Sequence, residues 1–151
     1  MYTDSHCHLS FPELVSQLPD IRQKMEDAHV TRALCICTTI EEFDQVHHLA
    51  KTYDNFWSTV GVHPDNEDIY EPSVQDLVDK GLLPRVIAIG ETGLDYYQMS
   101  ERKGGRTIED MEWQRDRFRN HIRAARQIQL PMVIHTRASS DDTLRILKEE
   151  G

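Results

Sequence analysis

With 151 residues, 38% of them apolar and 28% charged, and only seven Gly and six Pro, the chain has the composition of one folded domain, residues 1–151, rather than of a disordered or collagen-like polymer. No run approaches about 18 consecutive apolar residues, which excludes a membrane-spanning helix, and the opening MYTDSHCHLS lacks the basic flank and apolar core of a signal peptide, so a cytoplasmic protein is expected. Seventeen Lys and Arg against 26 Asp and Glu give a net charge of −9, which argues against a broad basic face for nonspecific nucleic-acid binding but not against a phosphate site built from metal ions, since these bring their own positive charge.

Short β-rich apolar runs alternate with helical patterns. Met1–His6, Arg32–Thr38, Phe56–Val62, Arg85–Glu91 and Pro131–His135 read as strands, and runs such as RALCIC, RVIAIG and PMVIH suggest a parallel sheet buried on both faces. Cys35 and Cys37 fall in these runs; with no C-x-x-C pair and an odd third cysteine, Cys7, they read as buried thiols. Helical periodicity places amphipathic segments at Asp20–His29, Glu41–Tyr53, Ser73–Lys80, Ile108–Gln129 and Ser140–Glu150. The fourth carries Met111, Phe118, Ile122 and Ala125 as its apolar stripe, and its five arginines between Arg115 and Arg126 read as a solvent face.

Strand then helix, five times over, is the signature of an α/β fold. Eight such units close a (β/α)8 barrel at about 250 residues and the shortest barrels need about 200. Five units therefore make either an open sheet or part of a barrel, and the chemistry below favours the barrel.

His6 and His8 lie two apart at the end of the first strand, which points both imidazoles to one face with Asp4 behind them. Glu91 and His135 each end an apolar run as its first ionisable side chain. Counting by twos puts Glu91 with Ile87 and Ile89, and His135 with Val133, on the face turned to a barrel interior. Three strands thus deliver His, His, Glu and His at their C-terminal ends, where βα proteins build their sites. That donor set suits one or two divalent ions such as Zn²⁺, Mn²⁺ or Mg²⁺.

His63 ends a fourth strand before Pro64 and is a candidate phosphate contact or proton donor, with a backbone-bonded strand-end role as the plain alternative. Arg137, two past His135, is a second candidate for substrate phosphate or else forms an outer salt bridge. His29, His47, His48 and His121 read as structural, with His47 and His48 on a polar helix surface. After Glu91 a long loop is expected, solvated or else holding a phosphodiester strand through Tyr96, Tyr97, Arg102, Lys103 and Arg106. No G-x-G-x-x-G, G-x-x-x-x-G-K-[ST] or G-x-S-x-G is present, so nucleotide-fold and serine-hydrolase readings have no support.

The segments DSHCH, VGVHP, GETGLDYY and LPMVIHTR, in that order across essentially the whole chain, resemble the TatD-type metal-dependent hydrolases, usually described as deoxyribonucleases. The resemblance implies a (β/α)8 TIM barrel of the metal-dependent hydrolase type, of which about five βα units are present. It implies two metal ions, with His6 and His8 on one, Glu91 bridging both as a catalytic carboxylate, and His135 on the second. The implied chemistry is hydrolysis of a DNA phosphodiester, in single strands or from 3′ ends, by metal-activated water, with no membrane and no obligate protein partner. The family's further metal-binding His on the sixth strand and Asp on the eighth have no counterpart within these residues, and Asp65 stands where many relatives carry a second His. Two alternatives accompany this reading: a metal-dependent hydrolase of a small amide, ester or lactone, and an inactive truncated product.

Overall fold

The computed structural model describes residues 1–99 and 105–151. Five parallel strands, β1 (Tyr2–Cys7), β2 (Val30–Cys35), β3 (Phe56–Val60), β4 (Val86–Asp95) and β5 (Met132–Arg137), lie in sequential order in one sheet. Each is paired with its predecessor through an intervening helical segment, the connectivity of a partial βα barrel.

The helices are α1 (Pro12–Val15), α2 (Leu18–Asp27), α3 (Phe43–Thr52), α4 (Val74–Gly81), α5 (Glu112–Ile128) and α6 (Ser140–Glu150). Local chemistry sets their ends. Ser73 caps α4 in a reciprocal box: its Oγ accepts from Asp76 N at 3.1 Å while the Asp76 carboxylate accepts from Ser73 N at 2.8 Å. Glu42, read from periodicity as helical, instead folds its carboxylate back onto Thr38 Oγ1 (2.7 Å) and the Thr39 amide (3.3 Å), so α3 starts at Phe43. Gln129 ends α5 in the left-handed region, its N–H and that of Leu130 both donating to Ala125 O.

One side of the sheet carries the core. Phe43, Val46, Leu77, Val78, Ala124 and Ala125 from the helices pack on Phe56, Val60, Val86 and Ile89 from the strands, with Cys35 and Cys37 buried among them. A second cluster, Leu94, Met111, Phe118, Ile122 and Ile146, joins β4 to α5 and α6. The expectation of a sheet buried on both faces fails. β1 is exposed along almost its whole length, and Ile87 and Ile134 keep 41% and 38% of their surface. The cause is geometric: β1 and β5 each have one strand neighbour among the described residues, and the helices cover one side.

Two more corrections concern β4. It runs to Asp95, so Thr92–Asp95 are strand and not loop. Its register slips twice, once between Val86 and Ala88 and once between Ile89 and Thr92. Ile89 therefore points into the helix layer, where its Cδ1 would lie 3.2 Å from a Cβ added at Gly81, whereas Glu91 two residues later faces the histidines. Irregularities of this kind re-aim a side chain next to a functional site. Gly90 and Gly93 permit the close strand approach: both have strongly positive φ, and a Cβ would fall 2.4 Å from Val133 O and 2.0 Å from His135 O.

Candidate metal centre

Strands β1, β4 and β5, with the segments that follow β1 and β3, bring His6, His8, His63, Glu91 and His135 together. Glu91 is buried between two groups, its amide donating to Cys37 O at 3.0 Å. Its Oε2 lies 3.2 Å from His6 Nε2, and its Oε1 lies 3.5 Å from His135 Nδ1 and 3.8 Å from His63 Nε2. One carboxylate oxygen thus addresses each group, and in each group the ligand-type atoms all lie within 4.8 Å of one another.

The first group is lightly supported. The His6 side chain is 41% exposed and its ring meets His8 edge-on at 5.2 Å. His8 stacks on Phe11, and its Nδ1 is buried without a hydrogen-bond partner. An orphaned buried imidazole nitrogen costs free energy unless something accepts its lone pair or proton. With His6 Nε2 and a carboxylate oxygen beside it, this donor set fits a borderline divalent cation. Asp4 accepts from the His6 amide at 3.0 Å and so braces the strand end.

The second group is fully braced. His135 Nε2 lies 3.0 Å from the buried Asp95 carboxylate, which acts as its acceptor and leaves the Nδ1 lone pair aimed at Glu91. A carboxylate behind a histidine is the arrangement that fixes tautomer and raises ligand basicity in metal sites. His63 is set the other way. Its Nδ1 accepts from the Asp65 amide at 3.0 Å, so the neutral ring carries its proton on Nε2, the atom 3.2 Å from His135 Nδ1. A protonated ring nitrogen is a donor, so in this tautomer His63 presents a hydrogen-bond donor, not a lone pair, to Glu91 and His135. Burial pushes the His63 imidazole below its ordinary pKa against the pull of Glu91, which keeps the ring neutral at physiological pH.

Arg137 is half-exposed at the rim, its guanidinium 3.7 Å above the Tyr97 ring and 3.9 Å from the Asp95 carboxylate. Tyr96, in contrast, is buried and donates its hydroxyl to Asp142 at 2.5 Å. Arg106 is engaged with Glu67 at 2.7 and 2.5 Å, and Arg102 and Lys103 lie outside the described residues.

Three sequence-based readings are corrected. His47 is not on a polar surface; it is buried, stacked on Phe43, with Nε2 2.8 Å from Pro84 O. Arg115 and Arg117 are not solvent-facing; their guanidiniums are buried on Tyr96, Ile108 O, His63 O and Asn66 O, with Glu112 and Glu71 as counter-charges. Asp95 has a place in the site that the sequence reading did not give it. The signal was available: it is a carboxylate two residues past Gly93 in a segment apolar enough to be strand.

With this geometry in hand, the likeness to known proteins is informative. The family model described as TatD related DNase matches residues 3–151. An "uncharacterized metal-dependent hydrolase" of Buchnera aphidicola is 35% identical over 98% of this chain and 57% of its own length. The Escherichia coli K12 protein YcfH, described in the same words, is 36% identical over 97% of this chain and 53% of its own. The human protein named deoxyribonuclease TATDN3 is 32% identical over 98% and 56%. The chain thus spans about half the length of the curated relatives it matches. In fold it matches the crystal structure of YJJV, a TatD homologue from Escherichia coli, with a TM-score of 0.82 and 23% identity over 99% of this chain and 56% of that one. No helix among the described residues is long and apolar enough to cross a membrane. The α/β fold, the motifs in order and the match over residues 3–151 establish one conclusion: the chain belongs to the TatD-related DNase family.

Proposed function

We propose that this chain carries the metal-binding half-site of a divalent-metal-dependent hydrolase that cleaves DNA phosphodiesters. The observation that carries the reading is Glu91, whose two carboxylate oxygens are divided between the His6/His8 group and the His135 group. We assign His6, His8, Glu91 and His135 as ligands for two divalent ions, Mg²⁺, Mn²⁺ or Zn²⁺. Ions of this kind supply Lewis acidity toward a phosphoryl oxygen and lower the pKa of water.

The chain's own residues supply the rest. The Nε2–H of His63, 3.8 Å from Glu91 Oε1, donates to a phosphoryl or leaving-group oxygen bound between the two groups. Arg137 adds a rim cation for the neighbouring phosphate, with Tyr97 beneath it holding the guanidinium plane. Asp95 keeps His135 in the ligating tautomer. The relative named deoxyribonuclease makes DNA the first substrate to try.

The test is digestion of single-stranded DNA with added Mg²⁺ or Mn²⁺ and an EDTA control. Cleavage that disappears with EDTA and in Glu91→Gln and His135→Ala supports the reading. Full activity in either variant overturns the site, and faster turnover of a small amide, ester or lactone than of DNA overturns the substrate.

A further inference from the structure

Three polar side chains on α5 are buried deeper than helix packing requires. Gln114 and His121 keep none of their surface and Arg117 keeps 3%, and they follow one another at spacings of three and four on one helix face. The helix docks through a separate apolar set, Phe118, Ile122, Ala124 and Ala125. Burying three polar groups is unfavourable unless every polar atom finds a partner. Here the partners are one short backbone segment: His121 Nε2 accepts from Val62 N at 3.0 Å, Arg117 Nη1 donates to His63 O at 2.9 Å and Asn66 O at 2.8 Å, and Gln114 Nε2 donates to Pro64 O at 2.9 Å.

We infer that Gln114, Arg117 and His121 are positioning residues, a clamp that holds the 62–66 turn so that the His63 Nε2–H faces Glu91 and His135. This rests on the proposed reading of His63 as the donor at a hydrolytic centre. The link from clamp to ring is the Asp65 amide: it reaches His63 Nδ1 only while residues 63–65 keep their turn, and that contact selects the tautomer. Gln114 does a second task. Its Oε1 accepts from Asp95 N at 2.8 Å, so one side-chain amide ties the His63 turn to the strand end whose carboxylate orients His135. Arg117 is in turn fixed by Glu71, on which its Nε and Nη2 converge, and by the Trp113 ring at 4.8 Å.

The test reads the ring directly and needs neither metal nor substrate. Long-range ¹H–¹⁵N spectra of histidine side chains are recorded on the metal-free full chain at pH 8, above the ordinary imidazole range. The parent is expected to show one tautomer at His63, protonated at Nε2. Gln114→Glu keeps an acceptor for Asp95 N and loses the donor to Pro64 O; Arg117→Lys loses the fork. Both are expected to lose the single-tautomer pattern, while Arg119→Lys keeps it, because Arg119 pairs with carboxylates of helices α5 and α6. Folded variants with an unchanged His63 pattern overturn the clamp, as does a parent protonated at Nδ1, a result that needs no variant. On DNA the two variants should lose roughly 10–100-fold in kcat, the range seen when a group orienting a metal-site side chain is removed, with KM little changed. A parent inactive on DNA with the predicted spectra removes the DNA-cleavage reading and leaves the clamp standing.

Discussion

The two sides of Glu91 are built differently. On the His6/His8 side the residues come from an exposed edge strand, one ring is stacked on Phe11, and a buried nitrogen has no partner. On the His63/His135 side each ring nitrogen has an assigned partner, Asp65 and Asp95 hold both rings in the Nε2–H tautomer but turned opposite ways, so that His63 presents a donor and His135 a lone pair, and α5 holds the turn from behind. The contrast teaches that one protein can hold a preorganised ligand set and a set that depends on its ligand for satisfaction. It also shows that preorganisation here comes from hydrogen bonds, to the Asp65 amide and the Asp95 carboxylate, not from apolar packing.

The largest expected effect erases the contrast. Glu91→Gln keeps the shape and removes the charge that serves both groups, so Mn²⁺ affinity measured by calorimetry should fall at both by more than about 100-fold, beyond what the loss of an orienting partner costs. Loss at one side alone would contradict the shared carboxylate.

A second prediction separates the sides by pH. Burial lowers His121 from 6.5 to about 4 in the folded chain. Between those values the unfolded chain binds more protons, so stability rises with pH: the contribution is complete above about 6.5 and is lost as pH falls toward 4, up to about 3 kcal/mol. Urea unfolding from pH 4 to 7 should show this slope, and His121→Gln should flatten it. An equal slope in both proteins would refute the buried neutral ring.

Asp95→Asn is expected to weaken metal binding on the His135 side by roughly 10–100-fold and to leave the His6 side unchanged. The smallest effect belongs to Phe11→Ala. Removing the ring stacked on His8 should cost about 0.5–1.5 kcal/mol of binding on that side only, read in the same titration. An effect of Phe11→Ala on the His135 side would show that the two groups are not separately supported.

Much of this was legible in the sequence. The first ionisable residues after apolar runs pointed to Glu91 and His135, and the two-residue spacing pointed to His6 and His8, whereas His63, expected to end a strand before Pro64, lies three residues past β3. The parity count along β4 failed because periodicity assumes an unbroken ladder, and a register slip between Ile89 and Thr92 turns Glu91 independently of Ile89. Arg117 and His47 were misread for one shared reason: a charged or polar residue on a helix counts as solvent-facing until its backbone acceptors are known, and those acceptors, His63 O and Pro84 O, are remote in sequence. Asp95 was read as loop because the strand runs four residues past its apolar stretch.

The most direct test of the shared carboxylate is anomalous scattering from crystals of the chain soaked in Mn²⁺. The account predicts two peaks, one on each side of Glu91, the first within ligand distance of His6 and His8 and the second beside His135 Nδ1, with His63 Nε2 outside the coordination shell. A single peak, or a peak bonded to His63 with Glu91 uninvolved, would contradict it.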